Sequence, residues 1–465
     1  MQFDTYTYAL FLPLVFFCYW GLRHRLKAQN LFLLAASYVF YGWWDWRMLG
    51  LIVLTSFSTW GTALMMKGDR SNGDKGWMAA NIVLNLGILC VFKYLDFLRN
   101  SMVHLLGLFG MSPDWPTLNI LLPVGISFYT FQAISYTIDV YRGDVKPTRD
   151  IVAFGVYIAF FPQLVAGPIE RATNLLPQFL RKKSFDYDTA VVGMRQILWG
   201  LSKKVIIADS VGYYVDQLFA NPYYYSATGM IWGGILFAVQ IYADFSGYSD
   251  IAIGSARLLN ISLRPNFRYP FFSRNMKELW QRWHISLIMW FRHYVYFPMG
   301  GSKYGKWRTA FNVMVLFTLS GLWHGADWTF VIWGVLNGLL IVPFVFLPRK
   351  KLSPHPSNRD IPRCLMTFMI FALASISFRA SNLMNLTEIC DVVLNTTWRM
   401  RPVFGQPLFY IVPFFIIEWL GRKHEFPLEH LPFPTAVRWL IYWALLIGIS
   451  IIGLDRDMQF IYFQF

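Results

Sequence analysis

The chain has 465 residues, of which 56% are hydrophobic and only 14% charged, with a mean hydropathy of +0.40. A soluble domain carries about 25% charged residues, so the composition excludes a soluble globular protein and predicts one polytopic membrane domain over 1–465. The net charge of +15, from 41 Lys+Arg against 26 Asp+Glu, points to no nucleic acid, because the basic residues sit in loops between apolar runs, as the positive-inside rule describes.

Stretches near the ~20 apolar residues needed to cross a bilayer recur along the chain. They predict spans or half-spans near 8–22, 30–44, 48–66, 77–92, 94–110, 118–138, 151–169, 191–215, 228–245, 309–323, 328–347, 361–378, 407–420 and 438–453. Several are short and read as re-entrant or buried, leaving about eleven true spans. Met1-Gln2-Phe3-Asp4 lacks a basic region and no small-residue cleavage site follows, so the first run reads as a span rather than a signal peptide. Arg23, Arg25 and Lys27 after the first run, and Lys67, Arg70 and Lys75 after the third, place the N-terminus outside. By the same bias the loops 67–76 and 348–363, the latter with the basic run 349–351, face the cytoplasm. Arg438 and Arg456 bracket the last span about equally; the tail is expected outside. Cys18, Cys90, Cys364 and Cys390 show no paired spacing, which indicates neither a disulfide framework nor a metal site.

Residues 260–308 are too charged to span and too apolar to be a free loop. Arg264, Arg268, Arg274, Lys277, Arg282 and Arg292 lie there among many aromatics. Irregular backbone at membrane depth is tolerated only where protein or water surrounds it, so this segment is expected to fold back into a protein-lined recess. Just before it, Asp244 and Asp250 flank Ser246; the two carboxylates are expected to pair with arginines of 257–274 and build that recess. If 278–297 is one helix, Trp280, Trp283, His284, Leu287, Trp290, Phe291 and Tyr294 form a continuous face. Tryptophans at this spacing read as core packing, with a funnel lining as the alternative. His284 on the same stripe is harder to assign to packing, since a buried imidazole needs a hydrogen-bond partner.

The run Ser320-Gly-Leu-Trp-His-Gly-Ala-Asp-Trp328 interrupts two apolar stretches with a histidine. A titratable ring at membrane depth faces a cavity or a partner rather than lipid, and a histidine can take and return a proton near neutral pH. Asp327 reads as the cap of the following span, with orientation of the His324 ring as the alternative. Gly321 and Gly325 let backbone or substrate come close to it.

The chain end, Asp457-Met-Gln-Phe-Ile-Tyr-Phe-Gln-Phe465, has four aromatics among its last six residues. It reads either as an interfacial anchor or, through the lone hydroxyl of Tyr462, as a nucleophile that accepts an acyl group and passes it on.

These segments together resemble the membrane-bound O-acyltransferase family, in its bacterial branch of alginate and peptidoglycan O-acetyltransferases and D-alanyl transfer proteins. The resemblance is carried by Leu122-Pro-Val-Gly-Ile-Ser-Phe-Tyr-Thr-Phe-Gln132, Ser135 to Asp139 with Tyr141-Arg-Gly143, and Phe161 to Ile169. It continues through Asp244 to Gly254, Arg264 to Phe272, Trp280 to Leu287, Gly300-Gly-Ser302 and Ser320 to Trp328. His293 stands where many relatives carry Asp.

The resemblance implies an all-α ring of tilted helices with re-entrant segments around a central funnel, in a bacterial cytoplasmic (inner) membrane. It implies His324 as the catalytic residue and His284 as its partner on the opposite wall, with Tyr462 in the position of an acyl relay. Trp323, Asp327, Trp280, Trp283, Asp244 and Ser246 are expected to line the funnel or meet the acyl donor. The expected activity is transfer of acetyl from cytoplasmic acetyl-CoA, with no bound cofactor, to an extracytoplasmic SGNH/GDSL-like transferase that acetylates a polysaccharide. The alternatives are D-alanyl or other acyl transfer to a polymer or membrane lipid, and, in a different class, a transporter or flippase.

Overall fold

A computed structural model of the chain describes residues 1–68, 70–111, 113–118, 120–165, 167–348, 352–398, 405–453 and 460–463. The basic run 349–351, Arg456, residues 457–459 and residues 464–465 of the chain end lie outside them. The described residues are helical, with no strand among them, and they divide into two compact units: Met1–Thr189 with Ala256–Leu263, and Ala190–Ser255 with Arg264–Phe465.

The first unit runs through α1 (Tyr6–Gly21), α2 (Leu26–Gly42), α3 (Leu49–Met65), α4 (Asn72–Leu89), α5 (Leu95–Gly107), α6 (Ile126–Arg142), α7 (Ile151–Ala159), α8 (Phe161–Leu164) and α9 (Ala172–Phe179). Short polar side chains start several of these helices. Ser71 caps α4 by accepting from the Asp74 amide, and Asp150 caps α7 by accepting from the amides of Val152 and Ala153. Helix α6 is buried almost all round, and two of its polar groups are paired inside protein: Arg171 closes on Asp139 at 3.0 Å, and Asn81 donates to Thr137. Gly125, at φ 73°, lets α6 begin where a Cβ would lie 2.6 Å from the Leu164 carbonyl oxygen.

The second unit contains α10 (Tyr187–Leu201), whose first residues lie in the first unit, then α11 (Ser210–Ala220), α12 (Ala227–Leu258), whose last residues from Ala256 lie in the first unit, α13 (Met276–Arg282), α14 (Ile285–Phe291), α15 (Gly305–His324), α16 (Trp328–Ile341), α17 (Pro343–Phe346), α18 (Ile361–Arg379), α19 (Leu383–Asn395), α20 (Gly405–Gly421) and α21 (Thr435–Gly453). A π-helical stretch, Ser202–Asp209, joins α10 to α11. No residue of α12 is exposed, so its carboxylates need partners inside the protein. Glycines bring α10 and α12 backbone to backbone. A Cβ at Gly200 would lie 2.6 Å from the Gly247 carbonyl oxygen, and one at Gly254 the same distance from that of Gly193. Small residues at a crossing allow this close approach between apolar helices.

Among the described residues, five helical stretches are long and apolar enough to cross a membrane: Trp46–Met65, Asn72–Gly107, Trp328–Phe346, Asn358–Arg379 and Thr435–Gly453. Shorter apolar helices cover Tyr6–Gly21, Ile151–Leu164 and Gly405–Gly421. The molecule is an all-α multi-pass membrane protein. The apolar runs of the sequence reappear as helices with ends shifted by a few residues, apart from 118–138, whose helix starts only at Ile126 after Pro113, Pro116 and Pro123, and 228–245, whose helix continues to Leu258.

The expected single helix over 278–297 is not formed. α13 stops at Arg282, Trp283 is extended, His284 takes the left-handed conformation at φ 41°, and α14 starts at Ile285. The bend is held from outside the segment: the Ile285 amide donates to the Asn266 carbonyl at 2.8 Å and the Arg268 amide to the Arg282 carbonyl at 2.9 Å. A left-handed residue other than glycine is strained, and here it turns the histidine ring away from the tryptophan stripe. Arg274 and Arg282 close on Glu278 at 2.6 and 2.8 Å and donate to the Ser353 and Pro354 carbonyls. Burial pushes the Glu278 carboxyl up, but the two guanidinia outweigh it and hold the group below its ordinary range.

α15 and α16 form a hairpin through two glycines in contact. A Cβ at Gly321 would lie 2.3 Å from the Phe330 carbonyl oxygen and one at Gly334 would lie 2.4 Å from that of Phe317. Gly321→Ala is therefore expected to destabilise the protein by ~1–3 kcal/mol, as overpacking does. Thermal unfolding in detergent measures it; a melting temperature equal to wild type would mean the hairpin absorbs the methyl group elsewhere.

Candidate active site

His324 is the last residue of α15 and is 4% exposed. Its ring is packed by Trp323, Trp333 and Phe378, with centroids at 5.0, 5.2 and 5.3 Å. Its Nδ1 stands 3.1 Å from the Tyr462 hydroxyl. The His284 ring lies 6.2 Å from that of His324 and 6.3 Å from that of Tyr462, and the His324–Tyr462 separation of 5.7 Å closes the triangle. Three polar rings from three distant parts of the chain thus converge in a wall of aromatics. Trp323 contributes to that wall, 5.9 Å from His284.

His284 is 1% exposed, and neither ring nitrogen has a hydrogen-bond partner among the described residues. Phe245 meets the ring edge-on at 4.7 Å and Phe267 stacks at 6.4 Å. A buried imidazole so placed, next to a second imidazole and a phenol, can exchange a proton with whatever group enters between them.

The tail is docked through its backbone. Asp244 on α12 accepts the Ile461 amide at 2.7 Å through Oδ2, while its Oδ1 faces the Lys204 ammonium at 3.1 Å. Lys204 also meets Asp209 at 2.6 Å. The expected pairing of Asp244 and Asp250 with arginines of 257–274 is corrected here: the described ion pairs join Asp244 to Lys204 and Asp250 to Lys203, the latter at 2.6 Å. Both lysines belong to the π-helical stretch 202–209. They lie inside the apolar run 191–215, where two cations are themselves a signal of a functional or paired site.

The other expected site residues fall in different places. Asp327 caps α16, accepting the Thr329 amide at 2.9 Å, so its carboxylate serves the helix start. Trp280 packs on Phe317, Trp333 and Phe371, and Trp283 on Phe267 and Phe371; both belong to the aromatic layer behind the histidines. Ser246 accepts from Lys203 at 2.8 Å and lines a separate polar cavity with Tyr242, Asp250, Asn266 and Glu418. His293 donates from Nδ1 to the Met289 carbonyl at 2.8 Å, one helical turn back. Gly325 is needed for packing, since a Cβ there would lie 2.1 Å from the Phe330 ring.

His284→Ala is expected to lower acyl transfer by about a hundredfold, the lower end of what an acid–base group contributes. His284→Gly, which relieves the left-handed backbone, should show the same loss of transfer with a smaller loss of stability than the alanine variant. Wild-type transfer by the glycine variant would assign His284 to packing alone.

The family model described as MBOAT, membrane-bound O-acyltransferase family, matches residues 146–380. A probable alginate O-acetylase AlgI of Azotobacter vinelandii is 39% identical over 396 residues, covering 84% of this chain and 75% of that protein. A peptidoglycan O-acetyltransferase of Helicobacter pylori is 31% identical, over 80% of this chain and 76% of its own. A teichoic acid D-alanyltransferase of Bacillus subtilis is 29% identical, over 72% and 85% respectively.

Proposed function

The chain belongs to the membrane-bound O-acyltransferase family and is an acyltransferase, and from that premise we propose that it moves acetyl groups from cytoplasmic acetyl-CoA across the inner membrane toward a cell-surface or secreted polysaccharide. The observation that carries the reading is the Tyr462 hydroxyl on the Nδ1 of His324. In the proposed first step the phenol oxygen attacks the thioester carbonyl carbon as His324 takes the phenol proton. The carbon–sulfur bond breaks, and the departing sulfur leaves as CoA thiol with that proton. The product is an acetyl ester on Tyr462.

In the second step a hydroxyl of an extracytoplasmic SGNH/GDSL-like transferase attacks that ester. The bond to the tyrosine oxygen breaks and Tyr462 regains a proton through His324. Splitting the transfer this way replaces one difficult displacement by two easier ones, and the donor never has to leave the cytoplasmic side. His284, close to both partners, is proposed to hold the carbonyl oxygen or steady the His324 proton. The support is the convergence of the three rings together with relatives named as O-acetylases.

The test uses purified protein in detergent with acetyl-labelled acetyl-CoA and no acceptor. Release of CoA thiol and label on the peptide containing Tyr462 are expected. Label arriving only from a D-alanyl thioester would replace acetyl by D-alanyl, and no acylation from either donor would sink the tyrosine intermediate.

A further inference from the structure

The hydroxyl of Tyr462 can meet His324 only if the chain end is held in one register, and the structure provides a seat on α12 that does this. Asp244, Phe245 and Tyr248 lie at i, i+1 and i+4, on one side of that helix. Each meets a successive part of the tail. Tyr248 stacks on Phe460 with ring centroids 4.0 Å apart, Asp244 accepts the Ile461 amide at 2.7 Å, and Phe245 packs on the Tyr462 ring at 4.4 Å. Phe460 and Ile461 are 0% and 3% exposed. The aromatic contacts fix the tail sideways, but rings slide on rings at little cost. The hydrogen bond is directional, and it acts on the backbone immediately before Tyr462.

The carboxylate is itself held. Lys204 faces its other oxygen at 3.1 Å and lies 5.8 Å from the centre of the Tyr248 ring. Consecutive lysines then serve different partners, Lys203 going to Asp250 and Ser246 while Lys204 goes to Asp209 and Asp244. They reach α12 because Gly200 and Gly247 bring the two backbones together just before the π-helical stretch, which adds a residue to the turn.

We propose that Asp244, secured by Lys204, is the positioning residue of the active site: it grips the Ile461 amide so that the Tyr462 hydroxyl is presented to His324. The proposal rests on the reading of Tyr462 as the acyl acceptor, but tail docking can be measured without any transfer. A hydrogen bond between a buried amide and a charged acceptor is among the stronger ones. Its loss is expected to cost on the order of tenfold to a hundredfold in productive tail placement.

Replacing Asp244 removes a buried charge and leaves Lys204 short of a partner, so Asp244→Ala alone could unsettle the protein. Ile461→Pro removes the donor and leaves the Asp244–Lys204 pair in place, at the cost of the Ile461 side chain's packing. Proline lacks the N–H and is tolerated at a first helical position, which Ile461 occupies in the 3-10 turn Ile461–Phe463. Amide hydrogen exchange of the C-terminal peptide is measured on full-length wild type, Ile461→Pro, Asp244→Ala and Tyr462→Phe, with acetyl transfer alongside.

The expected result is rapid tail exchange in the first two variants, unchanged exchange in the helical body of Ile461→Pro, and a protected tail in Tyr462→Phe. Transfer by Ile461→Pro should fall about tenfold to a hundredfold, and adding Ile461→Pro to Tyr462→Phe should cause no further loss. A protected tail in both Ile461→Pro and Asp244→Ala would overturn the seat, whatever happens to transfer. If instead the tail is released and Tyr462→Phe transfers normally, the seat stands and the relay reading is the part that fails.

Discussion

His324→Ala is expected to abolish acetyl transfer while the protein still inserts and folds. A phenol has an ordinary pKa near ~10, so at neutral pH almost none of it is the nucleophilic phenolate, and a base must take the proton as the new bond forms. A general base supplies about 10²–10⁴-fold in rate. His324 is the titratable group described within hydrogen-bonding distance of the Tyr462 oxygen. Alanine also removes a ring packed by Trp323, Trp333 and Phe378, and that cavity has its own cost. His324→Gln separates the two effects, since it keeps most of the volume and can still accept from the hydroxyl, yet cannot carry the proton. Both variants are expected to lose about 10²–10⁴-fold in CoA release, and the glutamine variant to keep its melting temperature. Glutamine turning over at the wild-type rate would remove His324 from the chemistry and leave it as a hydrogen-bonding core residue.

The apolar runs were legible because in lipid a helix must satisfy its own backbone, so that hydrophobic length alone draws the elements. Capping chemistry was equally local: Asp327 accepts the Thr329 amide because a helix start leaves that donor open. The histidine in the break before α16 could be singled out for the same reason, as a polar ring that lipid would not accept.

The bend at His284 could not be read in this way. The spacing of Trp280, Trp283, Leu287, Trp290 and Tyr294 fits an unbroken helix, and nothing at 283–284 breaks it: no proline, and no glycine to take the left-handed turn. What bends it is a hydrogen bond to the Asn266 carbonyl, a tertiary term with no signature in the local pattern. The partners of Asp244 escaped for a related reason. Arginines were nearer in sequence, but the glycine crossing of α10 and α12 brings the lysines of 202–209 into reach. The tail was visible as an odd, aromatic chain end; its docking spans 217 residues of sequence.

Tyr462→Phe is expected to eliminate transfer to the polymer while changing nothing else that can be measured in the fold. The substitution deletes one oxygen. The ring keeps its contacts with Phe245 at 4.4 Å and Phe460 at 5.6 Å, and the Ile461 amide keeps Asp244. An interfacial or packing anchor depends on ring area, which phenylalanine supplies in full, so an anchor predicts wild-type activity. A relay predicts none, because the atom that would carry the ester is gone. Direct attack of an acceptor on the thioester would have to cross from one side of the membrane to the other within a single complex. The loss should therefore be at least as large as for His324→Gln, at or above ~10²–10⁴-fold, with melting temperature and tail protection unchanged. The decisive comparison is between two partial reactions. If Tyr462 is the acceptor, Tyr462→Phe loses both CoA release without acceptor and acetyl delivery to the polymer. If a water or another hydroxyl accepts from the donor first, CoA release survives and only delivery fails. Polymer acetylated by Tyr462→Phe as well as by wild type would make the aromatic tail an anchor and move the nucleophile elsewhere.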